Sequence, residues 1–257
     1  KILNKSIRYP ITCLTAYSSS VAKILDGNVD MILIGDSLGS TLYGMKNTQG
    51  VTLNMMKEHG LAVTKQIKKS FTIIDMPFRS YETKEQSLTN AKELIKYTGA
   101  DFIKLEINTN KIHIVKFLNE KNFKVIAHIG VTPQSFKDFR KIKILGRKKS
   151  EVENLVSVAL ELERAGASMI LLECITEKLA KEITSRISIP TIGIGASKYC
   201  DGQVLVFDDL IGLNSEMIKP KFLKKFINFD KIAKKAIRDF VKDVRKGKYP
   251  SKKHSYQ

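Results

Sequence analysis

The sequence is poor in the residues and the apolar runs that mark several special classes of protein. Its 257 residues include only 15 Gly and 6 Pro, which excludes collagen-like and low-complexity chains. No apolar run reaches the roughly 18 residues that a membrane-spanning helix needs, so we expect no membrane partner. The three cysteines, Cys13, Cys174 and Cys200, cannot all pair with one another. So sparse a set is typical of a reducing compartment, most simply the cytoplasm.

Positive charge is in excess, with a formal net charge of +18. Residues 137–149 carry seven Lys or Arg and one Asp, and residues 216–257 carry fourteen against four Asp or Glu, so the rest is near neutral. Most of the excess is lysine, no basic stripe is interleaved with aromatic residues, and no zinc-finger or RNP-like motif is present. We expect a lysine-rich surface and no nucleic-acid partner. Nucleic-acid binding through the basic tail is the alternative that the charge suggests.

Hydrophobic residues make up 43% of the chain, enough for a large core, and they fall into short runs. Eight of these runs are rich in β-branched residues and predict strands. They are residues 11–15, 30–35, 71–75, 102–106, 124–128, 168–173, 191–195 and 203–207. Helical patterns lie between most of the strands, at residues 53–67, 85–97, 151–165 and 176–187. The connections from the fourth to the fifth strand and from the seventh to the eighth are shorter or weaker as helices.

This alternation predicts an α/β protein with a single (β/α)8 barrel domain over residues 1–257. An open, doubly wound sheet is the competing fold, and it predicts a Gly-rich turn after the first strand. The sequence there reads AYSSS (16–20), which weighs against that fold. Within the third helical pattern, Ser150 and Glu153 predict a capping box.

The segment 216–257 predicts a basic, amphipathic helical tail that packs on the barrel or at a subunit interface. A helix lying on a membrane surface is the alternative. Its apolar positions share one helical face: Phe222, Phe226, Ile232, Ala233, Ala236, Ile237, Phe240 and Val244.

Charged and polar residues stand at the carboxyl ends of five consecutive predicted strands. They are Asp36, Asp75, Lys104, Glu106, His128 and Glu173. Because active sites of (β/α)8 barrels lie at the carboxyl ends of the strands, this convergence predicts one site. Taken singly, each residue has a structural alternative. The aspartates could cap helices, Lys104 and Glu106 could form an ion pair, and His128 could be a core histidine.

The residue types at these strand ends indicate a reaction class. Asp36, Asp75 and Glu106 offer hard oxygen ligands, which favour Mg²⁺ over Zn²⁺. Mg²⁺ suits a substrate with two adjacent oxygens, such as a 2-oxo acid, and Lys104 would supply a positive charge for its carboxylate. Glu173 is then the candidate general base. The set predicts proton abstraction next to a ketone, followed by attack of the enolate on an electrophile.

Distinctive motifs occur in order along nearly the whole chain. They read GDSLG (35–39), DMPF (75–78), KLE (104–106), HIGVTPQS (128–135) and LEC (172–174). In these motifs the sequence resembles the family of 3-methyl-2-oxobutanoate (ketopantoate) hydroxymethyltransferases. The resemblance implies a barrel of the phosphoenolpyruvate/pyruvate type and a one-carbon transferase that forms 2-dehydropantoate for pantothenate and coenzyme A synthesis. Another Mg²⁺-dependent lyase or mutase of 2-oxo acids on a related barrel is the alternative.

The resemblance also implies the partners and the site residues. It implies Mg²⁺, 5,10-methylenetetrahydrofolate as co-substrate, a cytoplasmic location and a homo-oligomer, a decamer in bacteria. It assigns Glu173 as the catalytic base and Asp36, Asp75 and Glu106 as the metal site. It assigns substrate binding to Asp36, Ser37, Asp75, Lys104 and His128.

A few positions depart from the family pattern. Ser18 stands where the family usually has Asp, Ile107 and Asn108 replace a Gly-Gly pair, and Asp208 stands where a His is common. The basic segment 137–149 replaces a family loop that contains glycines. Since the strand-end residues are all present, we expect an active enzyme.

Overall fold

The structure of the chain, a computed structural model, describes residues 2–3, 5, 9–138, 141–213 and 220–256. Eight parallel strands close into a barrel in which each strand pairs with the next and the eighth pairs with the first. The strands are β1 (Ile11–Thr15), β2 (Met31–Ile34), β3 (Phe71–Asp75), β4 (Phe102–Glu106), β5 (Val125–Gly130), β6 (Met169–Glu173), β7 (Thr191–Ile194) and β8 (Gly202–Leu205). The predicted (β/α)8 barrel is confirmed, and each strand boundary lies within two residues of its prediction.

Helices occupy most of the connections between strands. They are α1 (Ser19–Leu25), α2 (Leu38–Tyr43), α3 (Leu53–Thr64), α4 (Lys84–Thr98), α5 (Ile112–Glu120), α6 (Lys149–Arg164), α7 (Glu177–Arg186), α8 (Phe207–Ile211) and α9 (Phe229–Arg245). Residues 195–201, which connect β7 to β8 and are all described, form no helix, in agreement with the weak pattern there. The short helices α1 and α2 were not predicted.

The start of α6 differs from its prediction. The helix begins at Lys149, so Ser150 lies inside it and cannot act as the cap. Instead, the carboxylate of Glu151 accepts hydrogen bonds from the backbone N–H groups of residues 146–148, at 2.9, 3.1 and 3.4 Å. The predicted capping box is therefore wrong, because the acid that satisfies the free N–H groups lies two residues earlier in the helix.

Side-chain alternation along the strands divides the barrel interior into apolar and polar layers. On β3 and β4, the inward-facing Ile73 and Phe102 belong to the apolar core. Two residues further along the same faces stand Asp75 and Lys104. Ile2, which precedes β1, and core residues of the other strands complete the apolar layers: Ile11, Cys13, Met31, Leu33, Ile126, Met169, Leu171, Ile192 and Val204. The polar residues therefore stand on a packed apolar floor.

The chain divides into two compact units. The first contains residues 1–206 and 220–222, and the second contains residues 207–219 and 223–257. In the second unit, Asn228 caps the start of α9, and its side chain accepts a hydrogen bond from the N–H of Lys231. Apolar side chains of α9 such as Ile237 and Phe240 are exposed. The predicted packing of the tail stays a prediction, and residues 216–219 and 257 lie outside the described residues. No helix within the described ranges is both long and apolar enough to span a membrane.

Three Asp–Thr pairs tie neighbouring strands together at the amino end of the barrel. Asp101 precedes β4, and its carboxylate accepts hydrogen bonds from the N–H and the hydroxyl of Thr72 on β3, both at 2.8 Å. The Thr72 hydroxyl in turn accepts the N–H of Asp101 at 3.1 Å. Asp30 with Thr12 and Asp201 with Thr191 repeat this arrangement. Polar residues at this end of a barrel are typical of stability rather than catalysis.

We expect Asp101→Ala to destabilise the protein without changing the active site. The substitution leaves the buried N–H and hydroxyl of Thr72 without their acceptor, which should lower the free energy of unfolding by roughly 1–3 kcal/mol. Urea unfolding followed by circular dichroism measures the loss. Glu120→Ala, at an exposed position on α5, is the control and should change stability by less than about 0.5 kcal/mol. Equal stability of the two variants would contradict the role of the pair.

Candidate active site

The barrel brings together all of the strand-end residues that the sequence singled out. Asp36 and Ser37 lie two and three residues after the end of β2, Asp75 and Glu173 end β3 and β6, and the other three residues lie on β4 and β5. Strand register places Asp75 beside Lys104 and Glu106 beside His128. Asp36, Asp75, Lys104, Glu106 and His128 are only 2–6% exposed, whereas the side chain of Glu173 is 18% exposed.

Lys104 forms a buried ion pair with Asp75. Its Nζ lies 3.1 Å from Oδ1 of Asp75, while Oδ2 of Asp75 accepts the backbone N–H of Asp36 at 3.0 Å. Burial by itself would lower the pKa of Lys104, but attraction to Asp75, Asp36 and Glu106 outweighs it and raises that pKa above its usual value. Lys104 is therefore a permanent positive charge at the centre of the site.

The buried carboxylates outnumber this cation. Burial raises the pKa of Asp36, Asp75 and Glu106 above the usual range, and repulsion from neighbouring carboxylates adds to the effect while Lys104 opposes it. With Glu173, four carboxylates face one ammonium group among the described strand ends. The site therefore favours the binding of a further positive charge.

His128 connects Lys104 with Glu173. Its Nδ1 lies 3.3 Å from Nζ of Lys104, and its Nε2 lies 3.3 Å from Oε2 of Glu173. Burial and the nearby Lys104 lower the pKa of His128, which favours a neutral ring at neutral pH. Because Lys104 can only donate, Nδ1 accepts, and the proton of the neutral ring is on Nε2, the nitrogen nearer to Glu173.

Ser37 lies at the edge of this cluster, and Tyr17 holds it there. The two hydroxyl oxygens are 2.7 Å apart, and Tyr17 is buried. The Tyr17 backbone carbonyl lies 2.6 Å from Nδ1 of His59 on α3. The loop after β1 is therefore anchored next to the substrate-binding residue that the resemblance implies.

A further residue, Gln134, lies among the carboxylates, and the sequence analysis gave it no role. It is buried in a single 3-10 turn (Pro133–Ser135) after β5. Its side chain donates a hydrogen bond to Asp36 at 2.7 Å, and its backbone N–H donates to Glu106 at 3.0 Å. Its place in the HIGVTPQS motif, after a strand end, was the only signal in the sequence.

The donor set fits Mg²⁺ in kind and in charge, because it offers hard oxygen atoms and a buried excess of negative charge. Among the described residues, no group of three or more His, Cys, Asp or Glu side chains is already gathered as a metal-binding set. Asp36 accepts a hydrogen bond from Gln134, and Asp75 pairs with Lys104. Mg²⁺ commonly takes one or two carboxylates and completes its ligands with water and substrate, so the site need not supply three.

The turn after β6 sets the position of Glu173. The carbonyl oxygen of Glu173 accepts the N–H of Val131 at 2.9 Å, and Cys174 follows with a positive φ of 49°. Gly130, at the end of the adjacent β5, has a φ of 96°, and a Cβ there would overlap the carbonyl oxygen of Glu173. Close backbone approach therefore requires glycine at position 130.

The positions that depart from the family pattern have ordinary structural roles where the structure describes them. Ser18 caps α1 and accepts the N–H of Val21 at 3.4 Å. Ile107 is buried, and its N–H donates to the carbonyl of His128 at 2.8 Å. Asp208 lies in the second unit, on α8. In the basic segment 137–149, residues 139 and 140 lie outside the described ranges.

Solved structures define the class of barrel. The chain matches 2,3-dimethylmalate lyase, a PEP mutase/isocitrate lyase superfamily member, with a TM-score of 0.61 and 14% identity, over 96% of this chain and 87% of that one. It matches phosphoenolpyruvate phosphomutase from Streptomyces platensis subsp. rosaceus with a TM-score of 0.62 and 10% identity, over 98% and 89% of the two chains. Such identities support the fold alone, which is a (β/α)8 barrel similar to the barrels of these two proteins.

Sequence relatives narrow this class to one family. The family model described as ketopantoate hydroxymethyltransferase matches residues 2–252. A 3-methyl-2-oxobutanoate hydroxymethyltransferase from Pelagibacter ubique (strain HTCC1062) is 46% identical over 259 residues, which cover 100% of this chain and 99% of that protein. The chain belongs to the ketopantoate hydroxymethyltransferase family, and the resemblance found in the sequence is confirmed.

We expect Gly130→Ala to disturb Glu173 as well as the backbone. Gly99→Ala is the matched control, because Gly99 also has a positive φ, of 72°, but nothing lies within 4 Å of an added Cβ. The left-handed conformation should cost either variant roughly 1–2 kcal/mol. Only Gly130→Ala should also lose activity, since the added methyl group must displace the end of β6. Thermal unfolding and initial rates measure the two effects, and equal activity of the two variants would contradict the expectation.

Proposed function

We propose that this protein transfers a hydroxymethyl group from 5,10-methylenetetrahydrofolate to 3-methyl-2-oxobutanoate and forms 2-dehydropantoate. Within the family context, the strongest support from the structure is the contrast between Glu173 and the other carboxylates. Glu173 has an 18% exposed side chain, whereas Asp36, Asp75 and Glu106 are buried beside it. Glu173 can therefore accept a proton from the substrate, while the three buried carboxylates bind positive charge inside the protein.

Lys104 and Ser37 bind the 2-oxo acid in this proposal. The ammonium group of Lys104 attracts the substrate carboxylate. Its ion pair with Asp75 fixes the position of the ammonium group and therefore the position at which that carboxylate binds. The hydroxyl of Ser37 is held by Tyr17 and can donate to a substrate oxygen. Two donors, one on β4 and one in the turn after β2, orient the substrate, which reduces the entropic cost of reaching the transition state.

Glu173 takes the proton from C3 of the oxo acid. The electron pair of the broken C–H bond becomes the enolate, whose C3 then forms a bond to the methylene carbon of the folate. The methylene carbon is bonded to two folate nitrogens: one of these bonds breaks as the C–C bond forms, and the other is replaced by a bond to the hydroxyl group of water. The two nitrogens receive the proton that Glu173 took from C3 and the remaining proton of the water. Nε2 of neutral His128 lies 3.3 Å from Oε2 of Glu173 and can stabilise its carboxylate before the proton arrives.

Asp36, Asp75 and Glu106 would hold Mg²⁺ in this proposal. When bound, Mg²⁺ supplies Lewis-acid stabilisation of the negative charge that develops on the substrate oxygens. The support is the excess of buried carboxylates over the single ammonium group of Lys104.

A cytoplasmic homo-oligomer, a decamer as the family resemblance implies, completes the proposal. Within the second unit, α9 exposes Ile232, Ile237, Phe240 and Val244, side chains that a folded surface seldom leaves uncovered together. Their exposure supports packing of this helix against the barrel or against another subunit.

We expect Glu173→Gln to abolish proton abstraction while the fold persists. An amide cannot accept the C3 proton, so turnover should fall by about 10²–10⁴-fold. Exchange of the C3 hydrogen of 3-methyl-2-oxobutanoate into deuterium oxide, without folate, reports this step alone. Glu177→Gln, at an exposed position on α7, is the control and should exchange at the wild-type rate. Wild-type exchange by Glu173→Gln would refute the assignment of the base.

We expect activity to depend on a divalent cation bound by the carboxylates. Chelation with EDTA should remove activity, and Mg²⁺ should restore it. Asp36→Asn should raise the Mg²⁺ concentration needed for half-maximal activity by at least about 10-fold, because one negative ligand is lost. Glu85→Gln, in the exposed first turn of α4, should leave this concentration unchanged. Full activity in EDTA would contradict the metal site.

A further inference from the structure

Gln134 makes hydrogen bonds with every polar group of its side chain. Its Nε2 donates to Oδ2 of Asp36 at 2.7 Å and to the carbonyl of Met76 at 3.1 Å. Its Oε1 accepts the hydroxyl of Tyr81 at 2.6 Å. Gln134 is 3% exposed and Tyr81 is 2% exposed, so solvent cannot replace these partners. The carboxamide is therefore held in one place by a closed set of contacts.

The chemistry of the partners fixes which way round the amide lies. The Asp36 carboxylate and the Met76 carbonyl only accept, so the NH₂ group must face them. Burial raises the pKa of Tyr81, which keeps its hydroxyl protonated and able to donate to Oε1. A reversed amide would place its oxygen against a carboxylate and a carbonyl. The orientation thus rests on all three partners.

The backbone around Gln134 reaches the second carboxylate. The 3-10 turn (Pro133–Ser135) directs the N–H of Gln134 to Oε2 of Glu106 at 3.0 Å. The carbonyl of Gln134 accepts the side-chain amide of Gln49 at 2.8 Å. One residue from the loop after β5 therefore contacts acids that follow β2 and end β4.

We propose that Gln134 is a positioning residue that holds Asp36 and Glu106 together for a divalent cation, and that Tyr81 acts through it. This inference rests on the metal site of the proposed function. Two buried carboxylates repel each other, and Gln134 gives each of them a donor on one oxygen. The other oxygen of each carboxylate is not engaged by Gln134 and is left for the cation. The acids are thereby arranged before the cation arrives.

Metal binding without substrate tests this role directly. Mn²⁺ can be titrated into the full-length protein, with free Mn²⁺ followed by electron paramagnetic resonance, so the readout does not depend on turnover. Gln134→Met keeps the length of the side chain but removes its donor and acceptor. It should weaken Mn²⁺ binding by about 10–100-fold, the usual effect of removing a group that orients a metal ligand. Tyr81→Phe should weaken binding less, because the amide itself remains.

The double variant separates positioning from a general loss of structure. If Tyr81 acts through Gln134, the variant with both substitutions binds Mn²⁺ as Gln134→Met alone does. If instead the losses of Mn²⁺ affinity caused by the two substitutions add up in the double variant, Tyr81 does not act through Gln134. Gln86→Met is the matched control: the side chain of Gln86 is likewise held by hydrogen bonds, two of them to backbone groups, but at an exposed position of α4, and this variant should bind as wild type. Circular dichroism checks that each variant folds, and Tyr81→Phe decides the question if Gln134→Met does not fold.

Two outcomes distinguish this inference from the proposed function. Wild-type Mn²⁺ affinity in folded Gln134→Met overturns the role of Gln134 and leaves the metal site standing. A wild-type protein that binds no Mn²⁺ at millimolar concentration overturns both the metal site and the role of Gln134. Proton exchange at C3 would still test Glu173 in that case.

Discussion

The ion pair between Asp75 and Lys104, 3.1 Å apart and buried, is the interaction on which the rest of the site depends. Removing two charges from water costs free energy that their attraction does not always return, so a buried pair is weak evidence for stability. Here three further carboxylates, Asp36, Glu106 and Glu173, surround it. An arrangement that adds negative charge around a single ammonium group opposes stability and favours the binding of cations. A loss of stability of this kind is expected where buried charged residues serve a reaction.

The barrel was predictable because each strand has a recognisable residue pattern in its own short segment of sequence. Runs such as 71–75 and 102–106 are apolar, β-branched and short, and helical patterns lie between most of them. The unpredicted helix α2 (Leu38–Tyr43) has six residues and contains Gly39, so its own preference for helix is weak. It persists because Leu38 is buried and Gly39 lies so close to Val51 that an added Cβ would approach it to 2.7 Å. Tertiary packing of this kind leaves no periodic trace in the sequence.

The residues of the site were predictable where they lie at the ends of predicted strands. Asp75, Lys104 and His128 interrupt apolar runs, and the barrel topology requires neighbouring strand ends to meet. Gln134 and Tyr81 lie in connections, where polar residues are common and carry no signal. The contact between Gln134 and Asp36 spans 98 residues of sequence, and the contact between Gln134 and Tyr81 spans 53. Only the folded barrel brings such residues together.

The net charge of +18 and the local excess of carboxylates at the candidate site have opposite signs. Charges in water are screened over about 8–10 Å at physiological salt, so an exposed lysine beyond that range contributes little to a buried cluster. Inside the barrel, where screening is weaker, the nearest charges decide. An anionic oxo acid is repelled by Asp36, Asp75 and Glu106, and only Lys104 attracts it among the site residues that the structure describes. In the proposed function, a bound cation would offset this repulsion and so favour the binding of the anionic substrate beside Lys104.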